Sequence, residues 1–155
     1  LIKEKKPLTV TNLNMTRFLM SMENAIDLVF FAFKNGKNGD IFVRKSPAAT
    51  IKTIIQALAK NLKVKYSIKK IGIRHGEKIH ETLLTKEELR KSKNYTNYFK
   101  IISDNRDLNY DKFFSDGLKN KMEVEDYTSE NTKRLNINET AKIIQNITKK
   151  KNFIN

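Results

Sequence analysis

The sequence predicts an α/β fold. Short runs of β-branched and aromatic residues alternate along it with longer segments whose apolar residues recur at helical spacing. At 155 residues the chain suits one domain and can bury a real core. With 39% hydrophobic and 31% charged residues it reads as globular rather than disordered.

The elements follow in order. Lys3 to Lys6 are a basic lead-in, and Leu8-Thr9-Val10-Thr11 after Pro7 reads as a strand. Asn12-Leu13-Asn14 is turn-forming, and Thr16 to Met20 is extended. Ser21 is an N-cap for a helix in which Met22, Ala25, Ile26, Val29, Phe30 and Phe33 share one side, with Gly36 past its end. We expect this to be a core helix. Ile41-Phe42-Val43 is a buried strand that ends at Pro47, and Thr50 caps a second helix carrying Ile51, Ile54, Ile55 and Leu58. Lys63 to Ile73 alternates as a strand, Thr85-Lys86-Glu87-Glu88 spells a capping box, and Tyr95 to Ile102 is strand-like. Residues 109–131 read as an ordered loop pinned by aromatic rings, and Asn136 or Asn138 caps a last helix that frays at Lys149-Lys150-Lys151. Leu1 opens the chain in place of Met, so we expect the downstream part of something longer.

Composition removes several classes of function. Without cysteine there are no disulfides, thiolate metal sites or cysteine nucleophiles. His75 and His80, five residues apart, do not have metal-ligand spacing, so no metal is expected. No apolar run is long enough to span a bilayer and no signal peptide is visible, which makes the cytoplasm the expected compartment. A net charge of +14 attracts polyanions, and a basic module for nucleic acid or another polyanion is the competing class. The lysines are scattered from Lys3 to Lys151 rather than gathered in a stripe, which disfavours nucleic acid. Tyr66 and Lys70 spell Tyr-x-x-x-Lys, but on a strand their side chains stand roughly 13 Å apart, too far for joint chemistry.

The chemistry concentrates in Ile71 to Glu81, where Arg74, Glu77, Lys78, Glu81, both histidines, Gly72 and Gly76 fall together. Arginine offers a planar fork for phosphate oxygens. Gly76 lets the backbone approach a ligand, and Glu77 is an acceptor suited to sugar hydroxyls. A nucleotide with a ribose would require such a pairing; the other reading is a charged surface turn. No glycine-rich phosphate loop and no Gly-x-Ser-x-Gly are present.

Seven strings, in order along nearly the whole chain, carry a family resemblance. They are Pro7 to Thr11, Met15 to Met20, Gly39 to Val43, Arg74 to Lys78, Glu81 to Leu84, Asp104 to Tyr110 and Glu125 to Leu135. They resemble the C-terminal part of UDP-N-acetylglucosamine 4,6-dehydratases and epimerases of surface-polysaccharide synthesis, within the extended short-chain dehydrogenase/reductase superfamily. One departure is Asn12-Leu13, where that family has Asp-Pro.

The resemblance implies an α/β, Rossmann-type fold of which this chain is the C-terminal substrate-binding part, with the N-terminal dinucleotide-binding portion missing. Residues 1–45 would complete the edge of the Rossmann-side sheet, and 46–155 would form the substrate domain. NADP or NAD would be held mainly outside this chain, and so would the catalytic Tyr-x-x-x-Lys, leaving no catalytic residue here and the chain alone inactive. The complete enzyme, expected to be a homo-oligomer, would act on UDP-N-acetylglucosamine or a related UDP-sugar by 4,6-dehydration, or alternatively by C4 epimerisation. By the same resemblance Arg74 would contact the pyrophosphate, Glu77 the ribose and Arg17 the substrate. Asn131 and Arg134 would close over the nucleotide, with Lys78 and Arg106 as weaker candidates.

Overall fold

A computed structural model describes residues 1–2, 4–103 and 125–151. The chain folds as two compact units that share it in alternating stretches. One comprises residues 1–25, 46–82 and 128–155, the other 26–45 and 83–127. Arg106, its string Asp104 to Tyr110 and most of the expected aromatic-pinned loop lie outside the described residues.

The first unit holds β1 (Leu8–Val10), β2 (Thr16–Phe18), β4 (Ala48–Thr50), α2 (Ile51–Leu62), β5 (Ile68–Lys70) and α4 (Ile137–Lys151). β1 and β5 pair in parallel, Leu8 opposite Ile68, whereas β2 and β4 pair antiparallel, Arg17 opposite Ala49. Thr50 caps α2 by accepting from Thr53 N, and Lys63 closes it in the left-handed conformation. That turn shortens the strand expected over 63–73 to Ile68–Lys70. β4 is an addition that Pro47 hides in the sequence. Small residues let α2 and α4 approach closely: Ala57, Ala59 and Ala141 are buried, and Asn61 Nδ2 donates to Ala141 O at 2.8 Å. Asn136 caps α4 in a reciprocal pair with Glu139, each side chain accepting from the other's backbone N–H.

The second unit is built on the sheet β3 (Ile41–Arg44), β8 (Tyr98–Ile101) and β7 (Ser92–Asn94), in the order β3-β8-β7. β6 (Thr82–Leu84) pairs with β9 (Tyr127–Thr128), and α3 (Lys86–Lys91) starts at the expected Thr85 capping box. Leu84, Phe99 and Ile101 form its core, with Val43, Leu89 and Tyr127 packed against them. Asp40 and Lys100 make a covered ion pair of 2.7 Å. The Lys100 ammonium also donates to Asn35 O, and the Asp40 carboxylate accepts from Lys37 N and Ser103 N. These contacts, the Lys100 hydrogen bond foremost, hold the Asp40 carboxyl below its ordinary value of 3.8.

The helix α1 (Met22–Asn35) corrects an expectation. Ser21 does cap it, through Asn24 N, but the stripe assigned to the core is outside. Phe33 is 83% exposed, Met22 72% and Phe30 68%. The covered side is the other one, where Phe31 stacks on Tyr98 at 4.2 Å and meets Phe42 and Tyr95 edge-on. A helix apolar on both sides offers two candidate stripes, and periodicity alone cannot choose between them.

Candidate nucleotide-sugar site

The candidate residues that the structure describes all lie in the first unit. Arg17, on β2, directs its guanidinium at the 77–81 segment. Nη1 donates to Thr16 O (2.8 Å) and Ile79 O (3.2 Å), and Nη2 donates to Lys78 O (3.1 Å). Nε is 3.4 Å from Glu81 Oε1, and Nη2 is 3.9 Å from Glu77 Oε1. The fork is therefore committed to holding the loop.

Glu77 sits at the base of that loop. Its Oε1 accepts from Thr11 Oγ1 at 3.0 Å, and its Oε2 accepts from Arg74 N at 3.3 Å. Glu77 N in turn donates to Arg74 O at 3.1 Å, and Gly76 takes φ +78, the left-handed turn that joins them. The Arg74 side chain is exposed, and among the described residues its guanidinium makes no hydrogen bond or ion pair. Lys78 enters through its carbonyl alone, the acceptor for Arg17.

Asn131 and Arg134 approach along a second segment. Asn131 Oδ1 accepts from Thr128 N, and Arg134 Nη2 donates to Glu130 O. Arg134 forms a parallel bridge to Ala48, flanked by hydrogen bonds of Ala48 N to Lys133 O and Leu135 N to Ala48 O. Its backbone is thereby tied to β4, whose Ala48 and Ala49 are fully buried.

Between the two segments runs a polar chain that the sequence reading missed. Thr16 Oγ1 is 2.6 Å from Ser129 Oγ and 2.8 Å from His80 Nδ1. Ser129 Oγ accepts from Glu81 N at 2.8 Å and donates to Thr16 O at 3.2 Å. His80 Nε2 is 3.5 Å from Glu130 Oε2. Thr16 and Ser129 are buried, so their hydroxyls satisfy each other in place of water. The only hint in the sequence was that all of these residues fall within, or beside, the matching strings.

The described residues hold no glycine turn of the kind that cradles a dinucleotide. Its pyrophosphate needs a glycine turn leading from a strand into a helix. Gly39, Gly72 and Gly76 have positive φ, but Gly39 leads into β3, and Gly72 and Gly76 lie between β5 and β6. Tyr66 precedes β5 and Lys70 ends it, so the Tyr-x-x-x-Lys spacing lies on extended chain. Among the described residues no three His, Asp or Glu gather as metal ligands. No helix there is long and apolar enough to cross a membrane. A cavity of about 690 Å³, lined by residues including Ile2, Leu62, Val64 and Tyr66, shares no residue with the polar chain.

Mixed parallel and antiparallel pairing in an α/β frame, with an arginine-and-glutamate loop pinned beside a buried hydroxyl pair, defines a class of domain rather than one protein. The family model described as polysaccharide biosynthesis protein matches residues 1–103, and that of its C-terminal part matches 104–149. The chain belongs to the polysaccharide biosynthesis protein family. It is 49% identical over 146 residues to a UDP-glucose 4-epimerase of Rickettsia bellii, covering 94% of this chain and 43% of that protein. A UDP-glucose 4-epimerase of Rickettsia akari is 49% identical over 143 residues, with 92% and 42% covered. Among solved structures it resembles Pen from Bacillus thuringiensis, with a TM-score of 0.74, 28% identity, and coverage of 94% of this chain and 42% of that one. The chain thus spans less than half the length of the relatives it matches.

Proposed function

We propose that the chain is the UDP-sugar-binding part of a nucleotide-sugar epimerase or dehydratase of surface-polysaccharide synthesis. The observation that carries this reading is the pinned 74–81 loop. Arg17 occupies the loop's carbonyls and carboxylates, which leaves the Arg74 side chain exposed while its backbone N–H donates to the Glu77 carboxylate. Arg74 would take the pyrophosphate, with Arg134 and Asn131 on the second segment, and Glu77 would accept from the ribose, since each carboxylate oxygen has a further lone pair. Arg17 acts by holding the loop. The role of Lys78 is its carbonyl, and Arg106 keeps its place as a candidate from the resemblance alone.

For the complete protein we favour 4-epimerisation of UDP-glucose, supported by the names of relatives at 49% identity. The second reading is 4,6-dehydration of UDP-N-acetylglucosamine, supported by the family strings. A galactose-configured product against a 4-keto-6-deoxy product separates them. NADP or NAD would be held by a nucleotide-binding partner domain, because the described residues offer no cradle for it. Two surfaces support such a partner: the exposed stripe of α1, and β1–β5, a two-stranded parallel pair of a kind that normally lies inside a larger, covered sheet. The cytoplasm is the proposed compartment.

Titration calorimetry of this chain with UDP-glucose, UDP-N-acetylglucosamine and a DNA oligomer at two salt concentrations tests the reading. UDP-sugar binding with a shallow salt dependence supports it. Binding of DNA alone, falling steeply with salt, would replace it with a polyanion-binding module.

A further inference from the structure

From Ile71 to Ile79 every residue is exposed except Glu77, whose side chain is 27% exposed. A carboxylate turned inward from an otherwise exposed loop gives up hydration and needs fixed partners in exchange. Arg74 N–H donates to Oε2, and the Arg17 guanidinium lies 3.9 Å from Oε1. The remaining partner is Thr11, whose hydroxyl donates to Oε1 at 3.0 Å across 66 residues of chain. That hydroxyl also lies 3.3 Å from Met15 Sδ, but it has one proton, and a carboxylate is a stronger acceptor than a thioether.

The two ends of this bond are held differently. β1 and β5 run parallel, so the chain leaves both at one end: Thr11 follows Val10, and Ile71, which opens the loop, donates its N–H to Val10 O at 2.9 Å. The segment after Thr11 is then fixed on the start of α2, where Leu13 O and Met15 O accept from Lys52 N and Ile51 N. The middle of the loop is open. Gly72 and Gly76 both take positive φ, and a Cβ at either would meet nothing within 4 Å. Thr11 is therefore the anchored partner, and Glu77 is the one being placed.

We propose that Thr11 is a positioning residue which sets the Glu77 carboxylate for the ribose of the nucleotide, and that the pair makes the site select ribose over deoxyribose. The proposal rests on the UDP-sugar reading above. With Thr11 O–H on Oε1 and Arg74 N–H on Oε2, each oxygen keeps a further lone pair, and two adjacent acceptors suit the two adjacent hydroxyls of a ribose. A deoxyribose offers one of those hydroxyls and leaves an acceptor of a half-buried carboxylate unanswered, which is the basis of discrimination. Orienting the carboxylate before the ligand arrives removes an ordering cost from binding.

Calorimetry of the whole chain with UDP-glucose and with its deoxyuridine counterpart tests this. The wild type should bind UDP-glucose about tenfold more tightly than the counterpart. Thr11→Val keeps the shape and loses the hydroxyl; it should weaken UDP-glucose by about three- to tenfold, change the counterpart less, and so shrink the ratio. Thr11→Ser keeps the hydroxyl and should restore the ratio, and Thr11→Ala serves if Thr11→Val folds poorly. Damage to the fold would weaken both ligands alike and leave the ratio where it was. In a Glu77→Ala background Thr11→Val should add nothing, since Thr11 acts through the carboxylate. Equal binding of the two ligands by the wild type, a ratio unmoved by Thr11→Val, or a loss that Thr11→Ser does not restore would overturn the proposal while UDP-glucose binding stands. Failure of the wild type to bind either ligand would instead defeat the UDP-sugar reading on which it rests.

Discussion

Arg17 Nε lies 3.4 Å from Glu81 Oε1, whereas Arg74 meets the 74–81 loop through its backbone, its N–H donating to Glu77 Oε2 at 3.3 Å. Two arginines of one candidate site thus hold different offices. The guanidinium of one is tied to the protein, and that of the other is exposed.

That division predicts separable phenotypes. Arg74→Lys keeps the charge and loses the fork, so the UDP-sugar dissociation constant should rise roughly tenfold with the melting temperature unchanged. Arg17→Lys cannot reach three carbonyls and two carboxylates at once, so it should weaken binding and also lower the melting temperature, by about 2–4 °C per kcal/mol lost. Calorimetry and thermal unfolding on the same two variants check this, and equal melting temperatures for both would contradict it.

Ser129→Ala tests the buried hydroxyl pair. It strips the Glu81 N–H of its acceptor and Thr16 Oγ1 of a partner where water does not reach, at a cost of about 1–3 kcal/mol. Urea unfolding should show a lower midpoint with an unchanged slope.

Asp40 predicts an acid limb. Its folded value is depressed below 3.8, so the stabilisation is present above the ordinary carboxylate range and is lost as pH falls through the folded value. Asp40→Asn should therefore melt lower than wild type at pH 7, leaving the Lys100 ammonium covered without its partner. The gap should narrow as pH is taken below about 3.8. A gap that stays constant down to pH 2 would show that the stabilisation does not come from the ionised Asp40 carboxylate.

Thr140 offers the opposite sign. Its side chain is fully buried on α4, and its Oγ1 has no hydrogen-bond partner among the described residues. Thr140→Val keeps the shape and removes the unsatisfied hydroxyl, so the protein should gain about 1 kcal/mol. A loss of stability measured by denaturant would show that the hydroxyl is satisfied in solution.

Incubating the chain with NADP or NAD and either UDP-sugar should give no product, since the proposed cradle for the dinucleotide lies in a partner. Formation of an epimer or a 4-keto sugar by these 155 residues alone would refute that assignment.

Much of the fold was legible because its signals are local. Ser21, Thr50, Thr85 and Asn136 each cap the helix that follows, since a cap is a bond between a side chain and a backbone group three residues on. The αL turn at Lys63, by contrast, cuts short an alternation that reads well as a strand. Pro47 masks β4, whose existence depends on its pairing with β2. The orientation of α1 was not legible for a different reason. Phe30 and Phe31 are adjacent and equally apolar, and the rings of Phe42, Tyr95 and Tyr98 on distant segments determine which of them packs.

The candidate site divides in the same way. Residue type and order within the strings marked Arg74, Gly76 and Glu77 as candidates for a phosphate-and-ribose grouping, because a fork, a left-handed turn and an acceptor are properties of single residues and near neighbours. Only the tertiary structure decided that Arg17 is engaged with the loop, and that Thr16 meets Ser129 at 2.6 Å and His80 at 2.8 Å, across 113 and 64 residues of chain. Hydrogen bonds of that length require atoms to meet in space. A linear order of residues carries no such distance until burial of the apolar faces has brought the segments together.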